Sequence, residues 1–342
     1  MPIELPNITS EWIDKIFGAQ VIDFEEVSLS LFHYQYHHNP IYGQYADAVG
    51  RPPARVRQAA DIPFLPISFF KTHTVASTSF EPAAVFESSG TTQTINSRHY
   101  IKELSIYTRS FLQAFERFYG PPPGWCILGL LPSYLERKGS SLVVMADELV
   151  RQSGHPNSGF YLYDHEKLAQ VLQELEQQGQ KTLLIGVTFA LLDFAEMYSL
   201  QLKHTTVMET GGMKGRREEW TRQQVHAFLN ERLGTTTIHS EYGMTELLSQ
   251  AYSSGEGIFN CPPWMKVVLR EEDDPLQLSA SGNGPVSSGP VSGLINVIDL
   301  ANIYSCAFIA TDDVGKLYPD GSFEVMGRRD NSDLRGCSLL AV

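Results

Sequence analysis

Cysteine is scarce in this chain. Four occur among 342 residues, at positions 126, 261, 306 and 337, and none shows the close pairing of a metal site. Basic charge is also short: 26 Lys and Arg stand against 39 Asp and Glu, a formal net charge of −13. That balance argues against general nucleic-acid binding, which needs a basic face, and against an anionic membrane surface as the main partner. A local basic pocket for a phosphate ligand remains compatible with it. No apolar run approaches the ~18 residues of a membrane-spanning helix. The first 20 residues carry Glu4, Glu11 and Asp14 and lack the apolar stretch and cleavage site of a secretory signal. The expected location is the cytoplasm, where the thiols stay reduced. No Gly-Lys-Ser or Gly-Lys-Thr closes a Gly-rich loop, so a P-loop nucleotide fold is not indicated.

What is present is the composition of an ordinary soluble globular protein, 42% hydrophobic and 19% charged. The length suffices for a large core, or for two lobes that share one. Residues 1–60 read as interrupted helices. His33, His37 and His38 offer an i, i+4 pair with metal-ligand spacing, but no neighbouring carboxylate or Cys completes a site, and aromatic packing accounts for the run. Residues 83–87 read as a strand. Residues 100–119 read as an amphipathic helix, with Leu104, Tyr107, Phe111, Phe115 and Phe118 three and four apart. Residues 125–131 read as a buried strand and 140–150 as a helix. From 164 to 252 strands (181–187, 205–209, 235–239) alternate with helices (164–178, 189–200, 220–233), a rhythm that implies a parallel or mixed sheet with helices on its faces. Ligands then bind at the carboxyl ends of the strands. Beyond 253 the texture changes to short strands (267–269, 293–300, 307–312, 323–326) around a Gly/Ser/Pro-rich loop at 279–293.

One stretch organises the rest. Residues 237–248 run from a Thr/Ile-rich strand through Glu241-Tyr242-Gly243 into a helix-like segment at 245–252. Backbone N–H groups at such a turn can hold an anion. Thr245 can hydrogen-bond a phosphate, Glu246 can bind Mg²⁺, and a ring can lie along Tyr242. The hydroxyl-rich loop Ser88-Ser89-Gly90-Thr91-Thr92 follows a strand and suits phosphate oxygens, with Gly90 allowing close approach.

The hexapeptide Glu241-Tyr242-Gly243-Met244-Thr245-Glu246 resembles the Tyr-Gly-x-Thr-Glu motif of the adenylate-forming enzymes, the superfamily of acyl-CoA synthetases, peptide-synthetase adenylation domains and luciferases. Further pieces resemble its motifs in the same order. They are Ser88 to Thr92 for the phosphate loop, Gly211-Gly212 for the adenine-side pair, Thr311-Asp312-Asp313 for the ribose motif and Gly327-Arg328-Arg329-Asp330 for the hinge. Residues 88–100, 131–142 and 335–340 are most similar to the acyl-protein synthetases of bacterial luminescence operons. The phosphate loop departs from the superfamily's commonest form, which carries a Lys a few residues on; here Gln93, Thr94 and Ile95 follow.

The resemblance implies an α/β adenylate-forming N-terminal domain. Its expected parts are an adenylation core at 1–252, a small β subdomain at 253–327, and a hinge remnant with a tail at 328–342. The superfamily's mobile C-terminal domain, which usually delivers a catalytic Lys, does not follow the hinge, so Lys214 becomes a candidate substitute. The resemblance further implies ATP and Mg²⁺ as cofactors. Ser88, Ser89, Gly90, Thr91 and Thr92 would hold phosphates. Gly211, Gly212 and Tyr242 would frame adenine, Asp313 and Arg328 would hold the ribose, and Thr245 and Glu246 would hold the α-phosphate and metal. Glu241, Gly243 and Met244, in the same turn, would also belong to the nucleotide-binding set. It implies a fatty acid substrate, Cys337 as acyl acceptor in a thioester, and an acyl reductase as partner. Thiolate is the nucleophilic form, and Arg335 nearby favours it. Two alternatives stay open: a ligase that passes the acyl group to CoA or to a carrier-protein thiol, and a degenerate nucleotide-binding subunit.

Overall fold

The computed structural model describes residues 8–18, 21–88, 95–132, 139–211, 220–279 and 289–329. Its helices are α1 (Ile8–Phe17), α2 (Phe24–His38), α3 (Pro40–Ala48), α4 (Phe69–Thr72), α5 (Leu104–Tyr119), α6 (Ser141–Ser153), α7 (His165–Gln178), α8 (Thr188–Met197) and α9 (Arg222–Leu233). The first eight strands are β1 (Leu65–Pro66), β2 (Ala84–Glu87), β3 (Arg98–Ile101), β4 (Cys126–Leu130), β5 (Gly159–Phe160), β6 (Thr182–Gly186), β7 (Thr205–Glu209) and β8 (His239–Tyr242). The remainder are β9 (Ala251–Ser253), β10 (Ile258–Phe259), β11 (Met265–Arg270), β12 (Leu278–Ser279), β13 (Val291–Asp299), β14 (Phe308–Leu317) and β15 (Phe323–Arg328).

A six-stranded sheet in the order β5-β4-β6-β7-β8-β9 forms the centre; it is parallel except for the edge pair β8–β9. Every residue of β4 and β6 is buried, as expected of parallel strands covered on both faces. Successive residues serve opposite cores. Ile127, Leu183, Ile185 and Met208 join one apolar cluster, whereas Cys126, Leu128, Leu184 and Val207 join the other. The period-two alternation of strand side chains produces this split. The second cluster takes its helical partners from α7, α8 and α9, through residues such as Leu172, Leu191 and Leu229. α7 and α9 start at side-chain caps: Asp164 accepts the Lys167 N–H at 3.1 Å, and Thr221 forms a capping box with Gln224.

A second sheet of seven strands runs β10-β15-β14-β13-β11-β12, antiparallel throughout, with β1 added in parallel beside β14. It shares the first apolar cluster with α1, α2, α5 and the central sheet. Thus the N-terminal segment contributes a strand to the C-terminal sheet, a pairing that no local pattern announces. Polar ties fix the same junction. The Gln35 side chain, fully buried, donates to the carbonyls of Asn302 and Ile303 at 2.8 and 3.0 Å and accepts the Ala307 N–H at 2.9 Å. Asn39 donates to the Ser305 carbonyl at 3.1 Å while capping α3.

Three expectations change. Tyr100 and Ile101, expected to open the helix at 100–119, pair with β2 as part of β3, and α5 begins at Leu104. The strand expected at 235–239 lies at His239–Tyr242, so Glu241 and Tyr242 belong to the strand itself. The segment after Gly243 is a turn leading to β9, not a helix. Its backbone is claimed by side chains from elsewhere. Asp299 accepts the N–H groups of Leu248 and Ser249 at 2.7 and 3.1 Å, His99 meets the Thr245 carbonyl at 2.9 Å, and Asn302 donates to the Glu246 carbonyl at 2.8 Å.

Replacing Gln35 with Leu leaves three buried backbone groups without partners. Each such loss costs about 1–3 kcal/mol. Gln35→Leu is expected to lower unfolding stability by about 2–5 kcal/mol, read as a shifted denaturant midpoint at an unchanged m-value; a shift under about 0.5 kcal/mol would contradict the account.

Candidate functional site

A cavity of about 750 Å³ opens at the carboxyl ends of β7 and β8, where the second sheet faces the first. Open α/β sheets bind ligands at this end. The cavity gathers Ser88, Gly211, Glu241 to Glu246, Asp312, Asp313 and Arg328 from segments far apart in sequence. Of the expected site residues, Ser89, Gly90, Thr91, Thr92, Gly212, Lys214 and Cys337 lie outside the described residues.

Tyr242, Asp313 and Arg328 form one hydrogen-bonded cluster. The Tyr242 hydroxyl donates to Asp313 Oδ2 at 2.9 Å, and Arg328 Nε donates to Asp313 Oδ1 at 3.2 Å. β14 and β15 position the acid and the base, which face each other in register across the two strands. The Tyr242 ring is wedged edge-on against Phe323, with centroids 5.5 Å apart. A carboxylate held this way between a phenol and a guanidinium presents acceptors to a diol, and the aromatic wall beside it suits a flat ring.

Ser88 and Ser97 bond each other on either side of the undescribed residues 89–94. Ser88 N–H donates to the Ser97 carbonyl at 3.1 Å, and Ser97 N–H donates to Ser88 Oγ at 2.9 Å. Ser97 and Glu246 line the same cavity. Glu246 is buried, and burial raises its carboxyl above the ordinary range, countered by Ser97 and by the charges of Arg328 and Lys71. A metal ion would replace that missing compensation. Among the described residues no group of three or more His, Cys, Asp or Glu stands ready as a metal cage, the His33/His37 region included. A single carboxylate is nevertheless what Mg²⁺ asks for when substrate phosphates complete its shell.

Sequence reasoning missed Glu209. It ends the apolar strand β7 and is, with Glu246 and Asp313, one of three buried acidic residues lining the cavity. Thr188 Oγ1 donates to it at 3.0 Å and Gly211 N–H at 2.7 Å, while Arg222 Nε and His226 Nε2 stand 3.9 and 3.7 Å away. Burial would raise this carboxyl, but the His226 ring, the Ser240 hydroxyl, the Gly211 amide and Arg222 hold it down at about 2. Gly211 has φ +73°, a left-handed conformation that glycine adopts without cost and that turns its N–H back onto Glu209. The signal available was a charge at the carboxyl end of an otherwise apolar strand. Glu241 behaves oppositely: burial, then the negative Glu209, push it up to about 8.

The fold is that of the N-terminal domain of the adenylate-forming enzymes. The chain is similar to ATP-bound MatB from Rhodopseudomonas palustris, with TM-score 0.52 and 16% identity over 74% of this chain and 50% of that one. An ATP-bound RpMatB-BxBclM chimera gives TM-score 0.51 and 14% identity over the same shares. A long-chain-fatty-acid-CoA ligase, FadD1, from Archaeoglobus fulgidus gives 0.49 and 14%, over 71% of this chain and 51% of that one. The chain thus spans about half the length of these solved structures. Comparison with curated proteins returned no match. The profile of one family, acyl-protein synthetase, LuxE, covers residues 19–341, and the chain belongs to that family. No helix among the described residues is long and apolar enough to cross a membrane.

The opposed carboxyls make a pH prediction. In the unfolded chain Glu241 ionises near the ordinary value of about 4.3, and in the folded protein at about 8. Between those values the unfolded chain has released a proton that the folded chain keeps, so rising pH favours unfolding. Glu209, held at about 2, stays ionised throughout. Denaturant melts across a pH series should show the wild type losing stability relative to Glu241→Gln from about pH 4.5 to about pH 8, by at most about 1.4 kcal/mol per unit. A difference that is flat with pH would refute the assignment.

Proposed function

We propose that this chain activates a carboxylic acid with ATP and then carries the acyl group on Cys337. The acid's carboxylate attacks the α-phosphorus, the bond to the bridging oxygen breaks, and pyrophosphate leaves, giving acyl-AMP. The Cys337 thiolate then attacks the acyl carbonyl, and AMP leaves with the bonding pair. The observation that carries the reading is the convergence of Tyr242, Asp313, Arg328 and Glu246 on one cavity at the strand ends. Membership of the acyl-protein synthetase family supports it.

In this reading Asp313, with Arg328, takes the ribose hydroxyls. Tyr242, Gly211 and Gly212 frame adenine. Ser88, Ser89, Gly90, Thr91 and Thr92 hold the outgoing phosphates, and Thr245 holds the α-phosphate. Mg²⁺, held by Glu246 and phosphate oxygens, would neutralise charge on the transferring group. The chain's own contribution is alignment and a fixed electrostatic frame, which dominate phosphoryl and nucleotidyl transfer. The tail has the reach for the second step. Arg329 N–H donates to the Asp312 carbonyl at 2.7 Å, so the last described residue sits at the cavity. Cys337 follows it by 337 − 329 = 8 residues, a span of at most about 26–29 Å. The loaded thioester would then serve a partner acyl reductase.

The test is the intact mass of the full chain after incubation with ATP, Mg²⁺ and a panel of carboxylic acids, beside Cys337→Ala. The expected result is a gain of one acyl group, removed by neutral hydroxylamine and absent from Cys337→Ala. Acyl-AMP without any protein adduct would refute the carrier role and point to CoA or a carrier-protein thiol as acceptor. Neither species with any acid would favour a nucleotide-binding subunit without chemistry.

A further inference from the structure

The described lining of the large cavity is richer in acid than in base, and its bases are Lys71, Arg222 and Arg328. Both arginines are engaged. Arg328 donates to Asp313 at 3.2 Å, and Arg222 stands 3.9 Å from Glu209 while it donates to the Val325 carbonyl at 3.0 Å. Lys71 differs. It is exposed, and among the described residues no hydrogen bond or ion pair claims its ammonium.

Two anchors hold Lys71 at the cavity. β1 pairs in parallel with β14, and the Ile67 N–H donates to the Ala310 carbonyl at 2.9 Å. α4 therefore leaves the second sheet beside the strand that carries Asp312 and Asp313. Phe70, the residue before Lys71, is only 1% exposed and sets its ring edge-on to His99, with centroids 5.7 Å apart. His99 is also the residue that meets the Thr245 carbonyl at 2.9 Å. The helix of Lys71 and the turn of Thr245 and Glu246 thus rest on one buried imidazole. The charge of Lys71 reaches that turn, where it pulls the Glu246 carboxyl down against the effect of burial.

ATP brings several negative charges to such a site, and the acid to be activated brings another. Attack of one anion on another is opposed by their repulsion, and a prepositioned cation between them acts most strongly where water is excluded. Lysine suits this task as a compact point charge with three donors. We propose that Lys71 is a catalytic residue of adenylation, its ammonium donating to the α-phosphate and to the incoming carboxylate as the two meet. The proposal rests on the adenylation reading and adds a residue to it. As the new O–P bond forms and the bond to the bridging oxygen breaks, pyrophosphate leaves with the bonding pair. Lys71 keeps its proton throughout and supplies charge alone.

The experiment is acid-dependent ATP–pyrophosphate exchange by the full chain with Mg²⁺ and unbranched fatty acids from acetate to hexadecanoate. Wild type is compared with Lys71→Met and Lys71→Gln. The expected result is a kcat lower by about tenfold or more in both variants, the mark of a lost transition-state donor. The KM for ATP should stay within about threefold of wild type, because the ribose and adenine contacts remain. The exposed position predicts an unchanged melting temperature. A smaller fall in kcat, or a loss carried by the KM for ATP, overturns the role of Lys71 while adenylation stands. A loss that tracks a lowered melting temperature in both variants marks a structural role and overturns it too. No exchange by the wild type with any acid overturns adenylation and the role of Lys71 together.

Discussion

The structure depends on one buried carboxylate. Asp299, at the end of β13, accepts the Leu248 and Ser249 amides, the Ser249 hydroxyl at 2.6 Å and the Ala301 amide at 3.1 Å. Burial pushes this carboxyl up to about 6 against the pull of those donors. Three donors from Leu248 and Ser249, aimed at one fully enclosed side chain, leave the segment from 245 to 249 no freedom to wind into a helix. His99 and Asn302 take the carbonyls that a helix would have used. The result is a rigid turn whose side chains Thr245 and Glu246 point into the cavity instead of along a helix surface.

The same arrangement explains how two sheets make one site. The central sheet brings Glu209 and Glu241, and the second sheet brings Asp313 and Arg328. Arg222 bridges them, standing beside Glu209 while Nη1 donates to the Val325 carbonyl at 3.0 Å. The two carboxylates on the central sheet differ because their surroundings differ. Glu209 has a hydroxyl, an amide and two bases around it, whereas Glu241 faces Glu209 itself. One stays ionised and the other titrates near neutrality, a separation that environment alone creates.

Much of this was legible in the sequence, and unevenly. The alternation of β4, α7, β6, α8, β7 and α9 followed from apolar periodicity and from caps such as Asp164, because those signals are local. The motif residues Tyr242, Asp313 and Arg328 were legible as candidates, and the fold brings them within hydrogen-bonding distance. The turn after Gly243 was misread because its fate is set by Asp299, some fifty residues away, and tertiary bonds outweigh local propensity. β1 escaped notice because two residues carry no pattern, and Glu209 because a charge closing a strand looks like ordinary punctuation.

The ties between α2 and the segment after β13 also bear on how the protein is made. Gln35 and Asn302 are separated by 267 residues in sequence. At a ribosomal pace of roughly 5–20 residues per second, the partner of Gln35 emerges about 13–53 s after Gln35 itself. For that interval the first helices carry polar groups destined for burial and an apolar face with nothing to cover it. The nascent chain is therefore exposed to aggregation until almost its last strand is translated. Chaperone occupancy during translation should accordingly be concentrated on its N-terminal quarter.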